Sequence, residues 1–187
     1  MKRTSQTVRV VGGQWRSRKI SFAELPDLRP TKDAIRETVF NWLQQDIISA
    51  RCLDLFAGSG VLGIEALSRG AEHVYFVDNQ TQVIHQIQTQ LQDFKATSQQ
   101  YSLYQGQAVV FLAQHQQPVD LVFLDPPFVE NNYIDLLNRV HRCLTKAGLV
   151  YLEADKAKLL ELELGSDWVW HKQKIQGQVG FGLLKQA

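Results

Sequence analysis

The run Leu53-Asp54-Leu55-Phe56-Ala57-Gly58-Ser59-Gly60-Val61-Leu62-Gly63, with Asp78 closing the next apolar run, constrains the fold more than any other feature of the chain. Apolar residues give way to small ones and then to a second apolar stretch, which is how a strand passes through a glycine loop into a helix. The glycines let the backbone approach a ligand closely. An acid at the following strand end can accept hydrogen bonds from two ribose hydroxyls and so marks a nucleoside site. From here the chain alternates. Residues 52–56, 74–77, 103–104, 121–124 and 149–152 read as short strands, and residues 61–68, 83–91, 108–113 and 133–143 as helices between them. Residues 168–174 and 179–184 read as a closing antiparallel pair. The pattern predicts an α/β fold, a doubly wound seven-stranded and mostly parallel sheet covered on both faces.

Before this unit, residues 7–22 read as two short strands around a Gly12-Gly13 turn, and residues 33–43 as a helix with Thr31 at its N-cap. With 187 residues in all, residues 1–45 are expected to form a basic hairpin and helix within the same compact unit as a binding domain over residues 46–187. The charge is uneven. Residues 1–36 hold nine Lys/Arg against three acids, while the remainder holds eleven against sixteen. A basic leading segment on a mildly acidic body suits steering of a polyanion. No run of about 18 apolar residues offers a membrane span, and the N-terminus lacks a signal-peptide pattern, so a cytoplasmic protein is expected. Cys52 and Cys143 lie far apart and the five histidines show no ligand spacing, so neither metal nor disulfide is expected.

The glycines alone do not choose a cofactor, because Gly58, Gly60 and Gly63 also satisfy the dinucleotide fingerprint of NAD sites. Asp54 shifts the balance toward S-adenosylmethionine, since a carboxylate just before the loop suits an ammonium better than a pyrophosphate. Its bland alternative is a buried acid tying loop amides together. Cofactor contacts are expected at Asp54, Phe56, Ala57, Gly58, Ser59, Gly60, Gly63, Asp78, Asn79 and Asp125. Asp125-Pro126-Pro127-Phe128 follows the apolar run 121–124 at a strand end that faces the ligand crevice. Two prolines stiffen the chain and remove two amide donors, which leaves carbonyls as acceptors. An exocyclic amine on a base is a poor nucleophile, because its lone pair is delocalised into the ring. If Asp125 and the Pro126 carbonyl accept its two N–H groups while Phe128 stacks on the ring, the lone pair points at the methyl donor. No metal or covalent nucleophile is needed.

The chain resembles the bacterial 16S ribosomal RNA guanine-N2 methyltransferases of the RsmD type, on residues 9–18, Arg29-Pro30-Thr31, Arg36-Glu37, Phe40-Asn41-Trp42-Leu43, residues 53–71 and Asp125-Pro126-Pro127-Phe128. The resemblance implies a class I S-adenosylmethionine methyltransferase fold and methylation of guanosine N2 in 16S ribosomal RNA, within the small subunit or an assembly intermediate. It implies RNA contacts from Arg9, Arg16, Arg18 and Lys19, with Trp15 as either a stacking platform or the hairpin's own core. Arg29, Thr31 and Arg36 would line the entrance. A monomer is expected. Where related enzymes often place an acid against the adenine amine, this chain has Gly106-Gln107-Ala108, so Gln107 and the Ala108 amide are the candidate adenine contacts. Three other readings stand beside this one: an adenine-N6 enzyme acting on DNA, a non-catalytic RNA-binding assembly factor, and an NAD-dependent oxidoreductase.

Overall fold

A computed structural model describes residues 5–23, 31–127 and 132–187 of the chain. In chain order, β1 (Ser5–Arg9) and β2 (Lys19–Ala23) form a two-stranded antiparallel sheet, followed by α1 (Asp33–Trp42). The main body then runs β3 (Arg51–Asp54), α2 (Val61–Ser68), β4 (His73–Asp78), α3 (Thr81–Asp93), β5 (Tyr101–Gln105), α4 (Ala108–Gln114) and β6 (Val119–Leu124). It ends with α5 (Tyr133–Val140), β7 (Leu144–Asp155), α6 (Lys156–Glu161), β8 (Trp168–Gln176) and β9 (Val179–Gln186). The seven main strands lie in the order β5-β4-β3-β6-β7-β9-β8. Pairing is parallel from β5 through β7, and β9 is antiparallel to both β7 and β8. Chain order therefore reverses between β3 and β6, and their carboxyl ends open the crevice in which doubly wound folds bind ligands.

Alternation along each strand builds two cores. One face carries Cys52, Val74, Phe76, Leu121, Phe123 and Tyr151 against Ile35, Val39 and Phe40 of α1, Ile64 and Leu67 of α2, and Val83 and Ile87 of α3. The other carries Leu53, Val77, Val122, Leu124, Val150 and Leu152 against Phe111 of α4, Leu136 and Leu137 of α5, and Leu159 of α6. Each such side chain contributes about 1.5–3 kcal/mol by leaving water, so a sheet apolar on both sides holds both helical layers. Val10, Trp15 and Ile20 of the hairpin join the first core. Among the described residues, no helix is long and apolar enough to cross a membrane. Both cysteines are buried and free.

Five local features differ from expectation. The hairpin does not turn tightly at Gly12-Gly13. Residues 10–18 form a longer connection docked on the end of α2, where the amides of Gln14 and Trp15 donate to the Ser68 carbonyl (2.7 Å) and Oγ (2.9 Å). Gly13 has φ 76°, and a Cβ there would sit 1.9 Å from the Ser68 carbonyl oxygen, so the glycine serves docking as well as the turn. Thr31 is not the cap of α1; Lys32 holds that position without a side-chain cap bond. The helix ending at Val140 stops short of Cys143, whose carbonyl accepts from the Val119 amide as the chain enters β7. β7 starts at Leu144 and not at Leu149, because the pairing shifts from Val119–Leu144 to Leu121–Leu149 and residues 145–148 bulge. The short α6, capped by the Asp155 side chain on the Ala157 amide, has no counterpart in the expected elements.

Candidate active site

The glycine loop is built by hydrogen bonds across the switch point. Beyond β3, the Leu55 amide donates to the Phe123 carbonyl of β6 and the Ala57 amide to the Val77 carbonyl of β4. Gly58 (φ 50°) and Gly60 (φ 74°) then take left-handed conformations that favour glycine, and Gly60 delivers the chain into α2. Asp78 fixes the loop from the next strand, its Oδ2 accepting from the Gly58 amide at 3.0 Å and its Oδ1 from the Gln80 amide at 2.9 Å. Each oxygen keeps a second lone pair for a ribose hydroxyl.

Asp54 is 2% exposed and accepts the Gly63 amide at 3.0 Å. Burial pushes its carboxyl up to about 7, the amide opposes this, and the Asp78 charge adds to it. Asp54 thus ties a helix amide and also faces the cavity, so its two readings coexist. Gly60 and Gly63 do not line the cavity. A Cβ at Gly63 would lie 2.3 Å from Phe76 and 2.9 Å from Val74, so this glycine lets α2 pack on β4 and does not make room for a ligand.

The cavity has a volume of about 1140 Å³ and spans the carboxyl ends of β4, β3, β6 and β7. At one end lie Asp78, Asn79, Gln107 and Ala108; in the middle Asp54, Phe56, Ala57, Gly58 and Ser59; at the other end Asp125, Pro126, Pro127 and Thr31. Phe128 and Arg29, expected as the stacking ring and an entrance residue, lie outside the described residues.

The far end holds a residue that sequence reasoning missed. Glu153, 6% exposed near the end of β7, lines the cavity beside Asp125. The pairing of Phe123 with Tyr151 and Leu124 with Leu152 carries the register to Asp125 next to Glu153. Phe123 and Tyr151, two residues earlier and so on the same face, touch edge-on with ring centroids 6.2 Å apart. The buried Thr31 lines the cavity with both acids, its side chain favouring the charged form of each, and the Tyr151 hydroxyl donates to Glu153 Oε2. Burial, reinforced by Glu153 and Asp54, holds Asp125 well above the ordinary carboxylate range; burial also raises Glu153, against the Tyr151 hydroxyl, Thr31 and the Lys32 charge. The signal was present: an apolar run ending in an acid, as at Asp54, Asp78 and Asp125.

Arg36 changes role. Expected at the entrance, it is fully buried, and its guanidinium donates to the Thr31 carbonyl (2.8 Å), the Arg9 carbonyl and Asp33 (2.9 Å). It positions Thr31 and has no surface left to offer RNA. Trp15 is 6% exposed with its ring 5.2 Å from Phe94, so it belongs to the core and cannot serve as a stacking platform. Arg9, Arg16 and Lys19 are exposed. Arg18 is exposed too, but its guanidinium carbon lies 4.0 Å from the Phe94 ring centre and it donates to the Asp93 carbonyl at 2.7 Å. Arg18 sits at the C-terminal end of α3, whose other end adjoins the cavity. Thirteen residues of helix put about 20 Å between the two.

The family model described as conserved hypothetical protein 95 matches residues 8–185. The chain belongs to this family. It is 38% identical to ribosomal RNA small subunit methyltransferase D of Escherichia coli (strain K12), an alignment covering 97% of this chain and 91% of that one. It is 41% identical to the Haemophilus influenzae protein of the same name, with 94% and 92% covered. A solved Escherichia coli structure, the methyltransferase candidate yhhF, superposes with a TM-score of 0.85 at 36% identity, covering 97% of this chain and 98% of that one. The seven-stranded architecture is thus that of the family.

Proposed function

We propose that this protein methylates the exocyclic N2 of a guanosine in 16S ribosomal RNA, using S-adenosylmethionine, and acts in the cytoplasm as a monomer on the small subunit or an assembly intermediate. The observation that carries the reading is one cavity holding both halves of such a reaction: Asp78 at one end with Asp54 and the Gly58 loop in the middle, and Asp125-Pro126-Pro127 at the other end. The relatives' names supply the RNA.

The residues present fit the cofactor. Asp54 is a buried carboxylate with one amide partner, suited to an ammonium, and Asp78 keeps lone pairs for ribose hydroxyls. Gln107 and Ala108, which line the same cavity, would meet the adenine. Bound there, S-adenosylmethionine supplies a methyl group already activated by its sulfonium charge. The chain's task is then to orient the amine. Asp125 and the Pro126 carbonyl accept the two N2–H groups and turn the nitrogen lone pair toward the methyl. As N2 gains the methyl its proton becomes acidic, and the Asp125 carboxylate, its proton affinity raised by burial, is placed to accept it. The target guanine must leave its stack to reach so enclosed an acid.

The test is mass spectrometry of nucleosides from small-subunit RNA incubated with the protein and labelled donor. N2-methylguanosine is the expected product; N6-methyladenosine, or no methylated base, would sink the proposal.

A further inference from the structure

Base-clamping by Asp125 leaves Glu153 unexplained. It is a buried acid on the adjacent strand, facing the same cavity, hydrogen-bonded by the neutral Tyr151 hydroxyl, while Lys32 acts on it through its charge. Burying a second acid so close to the first is costly unless each meets a donor or shares a proton. The strand register shows how close they are: Phe123 pairs with Tyr151 and Leu124 with Leu152, so Asp125 and Glu153 follow on adjacent strands about 4.8 Å apart. Two acids so placed suit a pair that shares one proton until donors arrive from outside. The rest of the wall is rigid. Arg36 pins the Thr31 carbonyl, Tyr151 holds one Glu153 oxygen, and Pro126 is buried.

Resting on the guanine-N2 reading above, we infer that Glu153 is the base-selecting residue of this site: it accepts the N1–H of the target guanine while Asp125 and the Pro126 carbonyl hold the N2 amine. The donor count matches. The edge of guanine that carries N2 offers three N–H groups in a row, one on N1 and two on N2, and the site offers three acceptors, two of them carboxylates on neighbouring strands about 4.8 Å apart. Adenine, presented by its N6 amine, would offer two donors and then the bare N1 lone pair, which a carboxylate repels. The pair Asp125-Glu153 thus separates the two purines by what lies beside the amine, which Asp125-Pro126-Pro127 alone does not do. A site built to bond a donor rejects the analogue lacking it, because its own polar group is left buried and unpaired.

2-Aminopurine isolates the contact, since it keeps the exocyclic 2-amine but carries a lone pair at N1. The methylated position is first located by nuclease mapping and mass spectrometry. Small subunits are then reconstituted with guanine or 2-aminopurine at that position, and single-turnover methyl transfer is followed. The unmodified protein is expected to be at least about tenfold slower on 2-aminopurine, the effect of one lost hydrogen bond to a charged group. Glu153→Gln, whose amide can donate to N1, is expected to bring the two rates within about threefold while S-adenosylmethionine affinity, measured by calorimetry, stays within a few-fold. Equal rates on both bases with the unmodified protein would overturn the inference, and that comparison stands whatever the stability of the variant. So would a variant that slows both bases alike. Absence of N2-methylguanosine from the unmodified reaction overturns the functional reading and this inference together; N2-methylguanosine with an unchanged base ratio overturns this inference alone.

Discussion

A carboxylate buried at a strand end must be protonated, paired or matched to a bound cation, and the acids of this cavity divide along those lines. Asp54, lifted to about 7 by burial, is partly protonated in the ligand-free protein near neutrality. Its native value lies above the unfolded 3.8, so the native state binds the extra proton between the two. The penalty on stability is absent below 3.8, grows as pH rises, and is complete above about 7. Binding a cationic amino-acid tail requires the ionised form. S-adenosylmethionine affinity is therefore expected to rise up to tenfold per pH unit below 7 and to level off above it, with proton release on binding in the lower range. Calorimetry across pH in buffers of different ionisation enthalpy measures both, and Asp54→Asn should flatten the profile. An Asp54→Asn protein with the original slope would remove Asp54 from the ammonium site. Asp125 has a different task. Asp125→Ala is expected to abolish methyl transfer while leaving S-adenosylmethionine binding within a few-fold, and joint loss of both would count against base clamping.

At the scale of elements, the strand–loop–helix unit was legible because its constraints are local. Gly58 and Gly60 must take positive φ, apolar runs must fill a two-sided sheet, and Asp78 must end its strand. What was illegible depends on partners distant in sequence. The nine residues from 10 to 18 pass as a glycine turn until Ser68 and Glu65 of α2 are seen to receive them. Arg36 reads as surface charge until three acceptors are found around it, and Trp15 as a platform until Phe94 closes over it. Glu153 obeyed the strand-end rule but became conspicuous only beside Asp125. The glycines make the same point. Gly63 satisfies a ligand-loop fingerprint yet touches Phe76 and Val74, so Gly63→Ala is expected to act on stability through overpacking of α2 on β4. The cost should be about 1–3 kcal/mol, or about 2–4 °C of Tm per kcal/mol. A Tm unchanged by the substitution, with cofactor affinity lost, would return Gly63 to the ligand loop.

The molecule as a whole separates its chemistry from its charge. The cavity opens at the carboxyl ends of the strands, while the 10–18 connection carrying Arg16 and Arg18 docks at the far ends of α2 and α3, about 12 Å away along α2 and about 20 Å along α3. That span is comparable to the width of an RNA helix, so an unstacked guanine in the cavity and a phosphate run along β2 and α3 can belong to one substrate. Among the described residues of the hairpin, Arg9, Arg16 and Lys19 have exposed side chains and are the candidates to meet phosphates, whereas Arg18 is already engaged by Phe94 and Asp93. Replacing Arg9, Arg16 and Lys19 together by Gln is expected to weaken RNA binding and to reduce the slope of log K against log salt by about 2–3, since each phosphate contact contributes about 0.7–0.9. Arg18→Gln should instead lower thermal stability through the lost Phe94 stacking and leave the slope nearly unchanged. Filter binding across salt concentrations separates these outcomes. A triple variant with the original slope would move the RNA to another face, and only the cavity would then tie the protein to its substrate.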